Sequence, residues 1–342
     1  MNSISNKGEA SKYIDYENGV IKFNNNGSIA YGKDSKILWN CSYEMSDPIV
    51  DVCGEYAVIS DKEGKRFDIF NINGRVGSVT TLYNINDVEI ASQGVVAVQM
   101  YDNDNNYIQL FYEDGTVVSD SIQDSILVDM KKNIVDYGYL MDIALSKNGK
   151  KLAVDFLSIT TGKLHTNIGF YNYGEIGQNE VDNFMGGFPY DDIVIPTITF
   201  LSNEVVCAFK DNGFTIYAIP EQPKLIDEIT LERKIQSVFY DEKYIGIILK
   251  KEKDTPKQLL LYDLKGRKIL DQILDFEYDK ILLSGNEIVM YNNLTLMIVK
   301  LNGKVKFKHT FDNNIEAFYS SNHLNKYMLV TASEISEIEL TK

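Results

Sequence analysis

The chain has 342 residues, of which 44% are hydrophobic and 24% charged, and these ordinary globular values exclude wholesale disorder. A net charge of −15 argues against a nucleic-acid partner, because phosphate recognition requires a basic surface. Three cysteines, Cys41, Cys53 and Cys207, are too few for a disulfide scaffold.

The chain begins with a polar segment. Residues 1–11 read MNSISNKGEAS and have no apolar core, so they predict a disordered tail and not a signal peptide. No apolar run approaches the roughly 18 residues that span a bilayer. The protein is therefore either cytoplasmic or the part that follows an export or anchor segment, and we expect residues 12–342 to form a single domain.

Short strand-like runs dominate the chain from residue 54 onward. They are rich in β-branched and aromatic residues, are bounded by turn-forming residues, and are too short for stable helices. The runs are GEYAVIS (Gly54–Ser60), GVVAVQM (Gly94–Met100), EVVCAFK (Glu204–Lys210), KYIGIILK (Lys243–Lys250), NEIVMY (Asn286–Tyr291) and KYMLVT (Lys326–Thr331).

A second signature alternates with these runs. An apolar strand ends in an aromatic residue or valine, and a glycine follows four residues later, where a tight hairpin needs a positive φ. The glycines at this place are Gly74, Gly115, Gly174, Gly266 and Gly303. They give a repeat of about 46 residues, a period typical of propeller blades.

The unit Ile235–Asp275 shows how one repeat divides. It contains four strand-like segments, at 235–240, 244–250, 258–263 and 268–274. We therefore predict an all-β fold, a β-propeller of four-stranded blades. Eight blades are favoured, and seven is the alternative, in which the two terminal units merge. A pair of β-sandwich domains is a further alternative, although no linker divides the chain.

The two ends of the chain are expected to meet. The last unit, Asn314–Lys342, offers three strands, and Tyr13–Tyr16 is the candidate for a fourth. We expect the N- and C-terminal strands to pair and close the ring, because closure removes exposed strand edges.

The residues that could take part in catalysis or metal binding do not form a recognisable site. His165, His309 and His323 lie far apart and have no partner at metal-ligand spacing. The excess of acidic residues provides many candidate catalytic carboxylates, and nothing in the sequence distinguishes any one of them. We therefore assign no catalytic residue, no metal and no cofactor from the sequence.

One loop has oxygen ligands at alternate positions. Asp102, Asp104 and Asn106 have the spacing of a calcium loop, but Tyr107 stands where such a loop has glycine. We predict a polar hairpin tip there, without tight calcium binding.

The segment Tyr171–Pro196 is longer than the matching part of other repeats and combines aromatic with acidic residues. Long loops on repeat scaffolds often carry binding function. We predict a partner-binding loop here, and a loop packed on its own blade is the alternative. Its candidate contact residues are Tyr173, Phe184, Phe188, Tyr190 and Asp191.

Several segments carry a family resemblance. YIDYENGVIKFNNNGSIAY, YLMDIALSKNGKKLAVDFLS and GFYNYGEIGQNEVD resemble an uncharacterised bacterial family, domain of unknown function 5711. ILWN (Ile37–Asn40), which contains the single tryptophan Trp39, resembles a blade ending of quinone-dehydrogenase-like propellers, where the tryptophan docks between blades. The family resemblance implies a clostridial-type protein with one N-terminal membrane-spanning helix before a propeller, so this chain resembles an extracytoplasmic domain without that helix.

The first functional hypothesis is a non-catalytic propeller that binds an unknown protein or glycan at the cell envelope. The alternative is a carbohydrate-active hydrolase or lyase with carboxylates in the central channel. A scaffold for envelope assembly is a third hypothesis, which rests on analogy of fold alone. The family has no assigned activity, so the resemblance implies no functional residues.

Overall fold

The computed structural model of the chain describes residues 11–17, 19–32, 35–102, 105–118, 127–128, 138–180, 183–320 and 325–340. Within these ranges the chain forms eight antiparallel sheets of consecutive strands, which we call blades 1 to 8. Blades 1 to 7 have four strands each, and three strands of blade 8 are described. The predicted tail, apart from residue 11, lies outside the described residues.

The strands of each blade are named here from the centre of the ring outward. The first strands are β1 (Lys12–Tyr16), β5 (Pro48–Cys53), β9 (Asn84–Ile90), β13 (Tyr139–Leu145), β17 (Thr197–Ser202), β21 (Ile235–Tyr240), β25 (Lys280–Ser284) and β29 (Ile315–Ser320). The second strands are β2 (Gly19–Asn24), β6 (Tyr56–Asp61), β10 (Val96–Asp102), β14 (Lys151–Thr160), β18 (Val205–Lys210), β22 (Tyr244–Leu249), β26 (Glu287–Tyr291) and β30 (Lys326–Thr331).

The outer half of each blade follows. The third strands are β3 (Gly27–Tyr31), β7 (Arg66–Asn71), β11 (Asn105–Phe111), β15 (Lys163–Asn172), β19 (Gly213–Ala218), β23 (Gln258–Asp263), β27 (Thr295–Lys300) and β31 (Ile335–Glu339). The fourth strands are β4 (Ile37–Ser42), β8 (Gly74–Thr80), β12 (Leu127–Val128), β16 (Phe184–Asp191), β20 (Lys224–Thr230), β24 (Lys268–Ile273) and β28 (Val305–Thr310).

The burial of each strand explains why its sequence occupies its position in the blade. The second strand β22 (YIGIIL) has five buried residues in a row, because both of its faces pack against neighbouring blades. The fourth strand β24 (KILDQI) alternates exposed and half-buried residues, since one face meets solvent. The continuous apolar runs found in the sequence are therefore second and third strands.

The ring is closed by packing between the last and the first blade. Eight hydrophobic clusters fill the eight interfaces between neighbouring blades. The cluster of Val20, Ala317, Met328 and Val330 joins blade 8 to blade 1. The Tyr319 hydroxyl donates to the carbonyl of Tyr13 across the same interface, at 3.2 Å. The predicted eight-bladed β-propeller is thus confirmed, and seven blades are excluded.

The predicted pairing of the terminal strands needs a correction. Residues 13–16 do not complete the last blade, because β1 pairs with β2 and is the first strand of blade 1. A tight connection between β1 and β2 favours this local hairpin over a partner at the far end of the chain. The terminal first strands β1 and β29 are still neighbours, but they contact through side chains.

The repeated glycine has a packing reason as well as a turn reason. Gly266 and Gly303 have φ of 78° and 83°, where other residues are strained. A Cβ atom at Gly303 would collide with Gln272 on β24 of the preceding blade, and one at Gly266 would collide with Asp227 on β20. The turn between third and fourth strands therefore rests on the previous blade.

The interface between blades 1 and 2 contains an ion cluster around one buried carboxylate, with two half-exposed arginines. Trp39 stacks on Phe70 with ring centroids 4.4 Å apart, which confirms the predicted inter-blade position of the tryptophan. Beside them, the fully buried carboxylate of Asp68 accepts two hydrogen bonds from Arg66 Nη2, at 3.0 and 3.2 Å. Arg75 Nη1 lies 3.7 Å from the same carboxylate. Two guanidinium groups thus compensate one buried charge.

Replacing Asp68 by asparagine is expected to lower the free energy of unfolding by about 2–3 kcal/mol. The substitution leaves both guanidinium groups without their counter-charge, and hydrogen bonds to charged groups contribute roughly this much. Urea denaturation measures the effect. The matched control is Asp211→Asn, whose exposed pair with Lys234 is worth about 1 kcal/mol or less. Equal losses in both variants would contradict the proposed role of Asp68.

Candidate functional site

The central channel is the first place to look for function, because it is lined by the first strands of all eight blades. Four neighbouring first strands, β1, β5, β9 and β13, carry five acidic residues, β29 carries the exposed Glu316, and β17, β21 and β25 carry none. The acidic residues are Asp15, Asp51, Asp87, Glu89 and Asp142. The basic residues of the first strands, Lys12 and Lys280, stand at the first position of their strands. One half of the channel wall is therefore acidic.

Three of these carboxylates tie neighbouring blades together. The backbone N–H of Ile90, on β9, donates to Asp51 Oδ2 at 2.7 Å. The N–H of Ile198, on β17, donates to Asp142 Oδ2 at 2.8 Å. Glu89 accepts from the N–H of Leu145 in the same way. Blades 2 to 5 are thus joined in sequence by carboxylate-to-backbone hydrogen bonds along the channel.

The ring surrounds these carboxyl groups and raises their pKa values. Burial raises the pKa of Asp15 to about 7, that of Asp51 to about 6 and that of Asp142 to about 7. The pKa of Glu89 lies well above its usual value, first because of burial and then because of the charges of Asp51, Asp87 and Asp142. The backbone N–H donors act in the opposite direction. The acidic wall therefore changes its charge close to neutral pH.

A second layer of hydrogen-bond acceptors lies behind the wall. Asp155 on β14 is directly opposite Asp142, is fully buried, and has no hydrogen-bond partner among the described residues for either oxygen. Burial, followed by the charge of Asp142, raises its pKa to about 8. Gln99 on β10 is opposite Asp87, and its Oε1 is likewise without a donor in the described chain. At neutral pH the Asp155 carboxyl therefore keeps a proton, so it can donate as well as accept a hydrogen bond.

A turn spans one end of the channel. It connects β13 to β14 and covers residues 146–150. Its Lys147 pairs with Glu242 of blade 6, and the N–H of Asn148 donates to Asn203 of blade 5 at 2.9 Å. The N–H of Ser92, in blade 3, donates to the carbonyl of Lys147 at 2.8 Å. We call this the turn end of the channel, and the opposite end, where the first strands begin, the start end.

Blade 4 differs from the others at the start end. Its strands β14 and β15 have ten residues each, against five to seven in the second and third strands of the other blades. The extra length projects beyond the neighbouring blades and exposes Ile159, and Tyr139 at the start of β13 is 56% exposed. Apolar side chains are thus accessible beside the channel mouth.

The sequence-predicted loop Tyr171–Pro196 is largely not a loop. It contains the end of β15, a single 3₁₀ turn at Gly177–Asn179 and the whole outer strand β16. The register Thr166↔Tyr190 and Ile168↔Phe188 makes β16 the fourth strand of blade 4. Edge pairing with β15 provides the order that the glycine- and proline-containing sequence did not predict.

The five predicted contact residues divide into two groups. Phe188 packs against Phe170 and Tyr217, Tyr190 hydrogen-bonds to the Tyr217 hydroxyl, and Tyr173 packs in the interface between blades 3 and 4. Phe184, at 45% exposed, and Asp191 remain accessible. A partner-binding role for the segment stays a prediction, and these two side chains are the accessible members of the predicted set.

Truncation of the two phenylalanines separates these roles. We expect Phe188→Ala to lower the free energy of unfolding by about 2 kcal/mol, because a half-buried ring loses its contacts with two aromatic neighbours. Phe184→Ala should cost less than about 1 kcal/mol, since its ring is partly in solvent. Urea denaturation of both variants measures the two losses in the free energy of unfolding. Equal losses would show that Phe184 is also structural.

A serine, a histidine and an aspartate lie side by side on blade 4. His165 Nδ1 is 2.7 Å from Asp191 Oδ1, and Ser158 is the cross-strand neighbour of His165. Ser158 Oγ, however, donates to the carbonyl of His165 at 3.5 Å and does not reach its ring. The arrangement therefore lacks the nucleophile-to-base hydrogen bond of a hydrolytic triad.

Other candidate features are weaker. An open groove of about 610 Å³ between blades 1 and 2 is lined by Asn26, Ser42, Tyr43, Glu44 and Arg66. Glu44 and Arg66 carry opposite charges in this groove. Its charge therefore favours neither an anionic nor a cationic ligand. Among the described residues, no group of three or more potential metal ligands comes together. Asp102 accepts from Asn105 and Tyr107 within its own hairpin, and residues 103–104 lie outside the described ranges.

The eight antiparallel blades and their closed ring define an eight-bladed β-propeller. The chain belongs to the family of unknown function DUF5711, whose profile matches residues 1–340. No curated protein matches the chain in sequence. No helix in the described part of the chain is long and apolar enough to cross a membrane.

Solved structures share the architecture at low sequence identity. AztD from Citrobacter koseri has a TM-score of 0.59 at 9% identity, and the match covers 89% of this chain and 87% of that chain. A eukaryotic initiation factor has a TM-score of 0.55 at 13% identity, covering 97% of this chain and 83% of that chain. Hsv2 from Kluyveromyces lactis has a TM-score of 0.52 at 11% identity, and the match covers 88% of this chain and 99% of that chain. These likenesses show the fold alone.

Proposed function

We propose that this protein is a non-catalytic binding propeller whose ligand or partner approaches the central channel from the start end. The supporting observation is the channel itself. Its wall is acidic, three of its carboxylates are fixed by backbone N–H groups of the next blade, and its turn end is spanned by residues 146–150. Rigid, preorganised groups favour binding, because little conformational entropy is lost when a ligand is bound.

The partner surface is proposed to include the projecting part of blade 4. Tyr139 and Ile159 are exposed beside the channel mouth. Asp191 is accessible at the same end of the outer strand β16, beside His165, whereas Phe184 begins that strand at the turn end, beside Tyr171. Large exposed apolar side chains near polar ones are typical of contact surfaces. We place the partner, a protein or a glycan, at the cell envelope because the family resemblance implies an extracytoplasmic domain behind a membrane anchor.

The test is retention of a partner from envelope extract by the whole chain and by two variants. We expect Tyr139→Ala/Ile159→Ser to reduce retention at least tenfold. The matched control is Ile273→Ser, which removes an equally exposed apolar side chain from the outer strand of blade 6. Retention by the control at the wild-type level, with unchanged melting of both variants, would support the proposal. Equal retention by all three proteins would contradict it.

A carbohydrate-active hydrolase or lyase is the second candidate, and one observation favours it. A general acid for glycoside cleavage needs a raised pKa, and Asp142 and Asp15 both titrate near neutrality. Hydrolysis of a glycoside panel by the wild type, abolished in Asp142→Asn and unchanged in Asp211→Asn, would establish the enzyme and overturn the non-catalytic proposal.

The proposed location has its own test. Fractionation of cells that express the natural gene from its own start codon, followed by protease treatment of intact cells, places the domain on one side of the membrane. We expect membrane-bound, protease-accessible protein. Recovery in the cytosolic fraction would contradict the extracytoplasmic, anchored proposal.

A further inference from the structure

Blade 8 differs from the other blades at its outer edge. Blades 1 to 7 each have a fourth strand, whereas β31 (Ile335–Glu339) is the outermost strand described in blade 8. It pairs with β30 on one side, and no described strand pairs with its other side. An open strand edge offers backbone N–H and C=O groups to a further strand. The rim of the ring therefore has a place at blade 8 for a strand that the described chain does not supply.

The register of β31 shows which of its backbone groups face this place. The N–H of Leu340 donates at 2.9 Å to the residue just before β30. Because the direction of these groups alternates along an antiparallel strand, every second residue from Ile335 to Glu339 directs its N–H and C=O away from β30. The Ser35 hydroxyl of blade 1 donates to the outward carbonyl of Ile335 at 2.8 Å, which agrees with this alternation. No residue in the described ranges hydrogen-bonds to the outward N–H and C=O of Glu339.

One wall of the place beside β31 is an aromatic row on the fourth strand of blade 7. Phe307 and His309 on β28 are cross-strand neighbours of Ile298 and Leu296, which belong to the interface with blade 8. Their side chains therefore point toward blade 8. The ring centroid of His309 lies 6.0 Å from that of Phe307 and 4.7 Å from that of Phe311. The two phenylalanines are only partly buried, and His309 is exposed.

The other wall is on blade 1. Ile37 on β4 is the cross-strand neighbour of Tyr31, which packs in the interface between blades 8 and 1, and Ile37 is 60% exposed. The interface between blades 1 and 2 shows how an outer wall is covered elsewhere in the ring. There Trp39 of β4 lies against Gly74, the first residue of the next blade's fourth strand. The place beside β31 is thus a groove with a strand edge as its floor and apolar side chains on both walls, which we call the blade-8 groove.

We infer that the blade-8 groove binds an extended segment of a partner protein, which adds to β31 as the fourth strand of blade 8. In this mode of recognition the main-chain hydrogen bonds supply affinity, and alternate side chains supply specificity. The added strand would continue the two interfaces that blade 8 already forms with blades 7 and 1. The groove lies on the rim of the ring, apart from the channel mouth and from blade 4. The inference therefore stands independently of the proposed function.

The apolar side of the groove defines one face of the partner segment. Ile338 and Leu340 share a cluster with Phe307 and Phe311, so this side of β31 faces blade 7. Side chains of the added strand that lie beside Ile338 would meet the same aromatic row. Apolar residues fit there, because they would cover ring surface that is now in contact with solvent.

The charges of the groove define the other face. Glu337 and Glu339 lie on the same side of β31 as Ile335, toward blade 1, and Glu334 precedes the strand. Lys326 of β30 pairs with Glu337 and is the cation beside these three carboxylates. The two lysines of β28 that are within the strand are engaged elsewhere, one with a carboxylate of blade 7 and one over an aromatic ring on the blade 6 side. The partner segment should therefore alternate apolar residues with Lys or Arg.

The start of this chain is the other candidate for the groove, because it precedes the first strand of blade 1. Residues 1–10 read MNSISNKGEA, and their two large apolar residues, Met1 and Ile4, are three positions apart. Residues on one face of a strand are two positions apart. This sequence does not have the alternation that the groove requires, so a partner segment fits better.

Titration of the full chain with a synthetic peptide of alternating valine and lysine, followed by NMR of the backbone amides, tests the inference. We expect saturable one-to-one binding, shifts at β31 and both walls, and slowed hydrogen exchange of the Glu339 N–H. In the inferred register the lysine N–H groups of the peptide face β31. N-methylation of every lysine should therefore weaken binding at least tenfold, whereas N-methylation of every valine should leave it unchanged.

Variants of the chain locate the peptide. Glu339→Pro removes an outward N–H, which an edge strand does not need for its own pairing, and should weaken binding at least tenfold. Glu339→Lys keeps the backbone and should weaken the valine–lysine peptide while favouring a valine–glutamate peptide, so it decides the matter if the proline variant does not fold. The matched control is Ile273→Pro, at an outward position on the outer strand of blade 6, which should bind like the wild type.

Several results would overturn the inference. They are the absence of saturable binding, equal affinity of the two N-methylated peptides, and equal weakening by Glu339→Pro and Ile273→Pro. Removal of residues 1–10 should leave the peptide affinity unchanged. A gain of tenfold or more after this removal would show that the start of the chain competes for the groove, and it would overturn the assignment to a partner.

Discussion

Deletion of the last blade, Asn314–Lys342, is expected to unfold the whole chain and not merely to shorten it. The deletion uncovers apolar side chains on both remaining neighbours. Val289, Leu296 and Ile298 in blade 7 lose their cover, and so does Val20 in blade 1. Each fully buried side chain of this size contributes roughly 1.5–3 kcal/mol. Together they approach the total stability of about 5–15 kcal/mol that is typical of folded proteins.

Circular dichroism melting and urea denaturation measure this effect. The truncated chain should lack a cooperative transition and should show exposed apolar surface. The control is removal of residues 341–342 alone, which lie beyond the end of β31 and should leave the transition unchanged. A truncated chain with a sharp transition near the parent temperature would contradict the closed-ring account.

Asp155→Asn is expected to stabilise the protein at neutral pH by about 2–4 kcal/mol. The burial of Asp155 raises its pKa to about 8 in the folded chain, well above the value of an exposed aspartate. The folded chain therefore holds a proton that the unfolded chain releases, and the free energy of unfolding falls as pH rises from about 4 to about 8. Asparagine is neutral in both states and removes this loss.

The free energy of unfolding of the wild type should also fall as pH rises. Asp15, Asp51 and Asp142 also have raised pKa values, so stability should decrease between pH 5 and pH 7.5. Urea denaturation at the two pH values checks both expectations. Asp155→Asn should gain little at pH 4 and most at pH 7.5, while Asp211→Asn should follow the wild type. A gain that is the same at every pH, or a loss at pH 7.5, would show that Asp155 is ionised and paired in the folded protein.

The blade repeat could be predicted from sequence because its signals are local. The strands expected at 235–240, 244–250, 258–263 and 268–274 match β21 to β24 within one residue. Second and third strands are buried on both faces and give continuous apolar runs. At Gly115, Gly266 and Gly303 the glycine of this turn combines a positive φ with close contact to the previous blade, whereas Gly174 does not have the predicted positive φ.

The outer strand β16 was missed for a physical reason. Its sequence, FMGGFPYD, contains Gly186, Gly187 and Pro189, which weaken a strand signal. One edge of β16 pairs with β15, and its side chains alternate between burial and solvent, so the strand depends on its partner more than on propensity. The pairing of Tyr13–Tyr16 was mispredicted for a related reason, since sequence patterns do not choose between two neighbouring sheets.

The channel carboxylates did leave a signal that the sequence analysis did not use. Asp51, Glu89 and Asp142 each interrupt an apolar strand a few residues before the first turn of a repeat. Acidic residues on the first strands of three successive repeats indicate a shared role. The direction of these side chains toward the ring axis becomes evident only when the blades are assembled, because it depends on the radial position of each strand.

The protonation of the channel wall tests the central claim most directly. Carbon-13 NMR of the side-chain carboxyl groups, assigned by Asp15→Asn, Asp51→Asn and Asp142→Asn, gives the pKa of each group in the folded protein. The account predicts pKa values of about 7 for Asp15, about 6 for Asp51 and about 7 for Asp142. Titration of all three groups below pH 5 would contradict an enclosed acidic wall, and with it the channel as the proposed binding site.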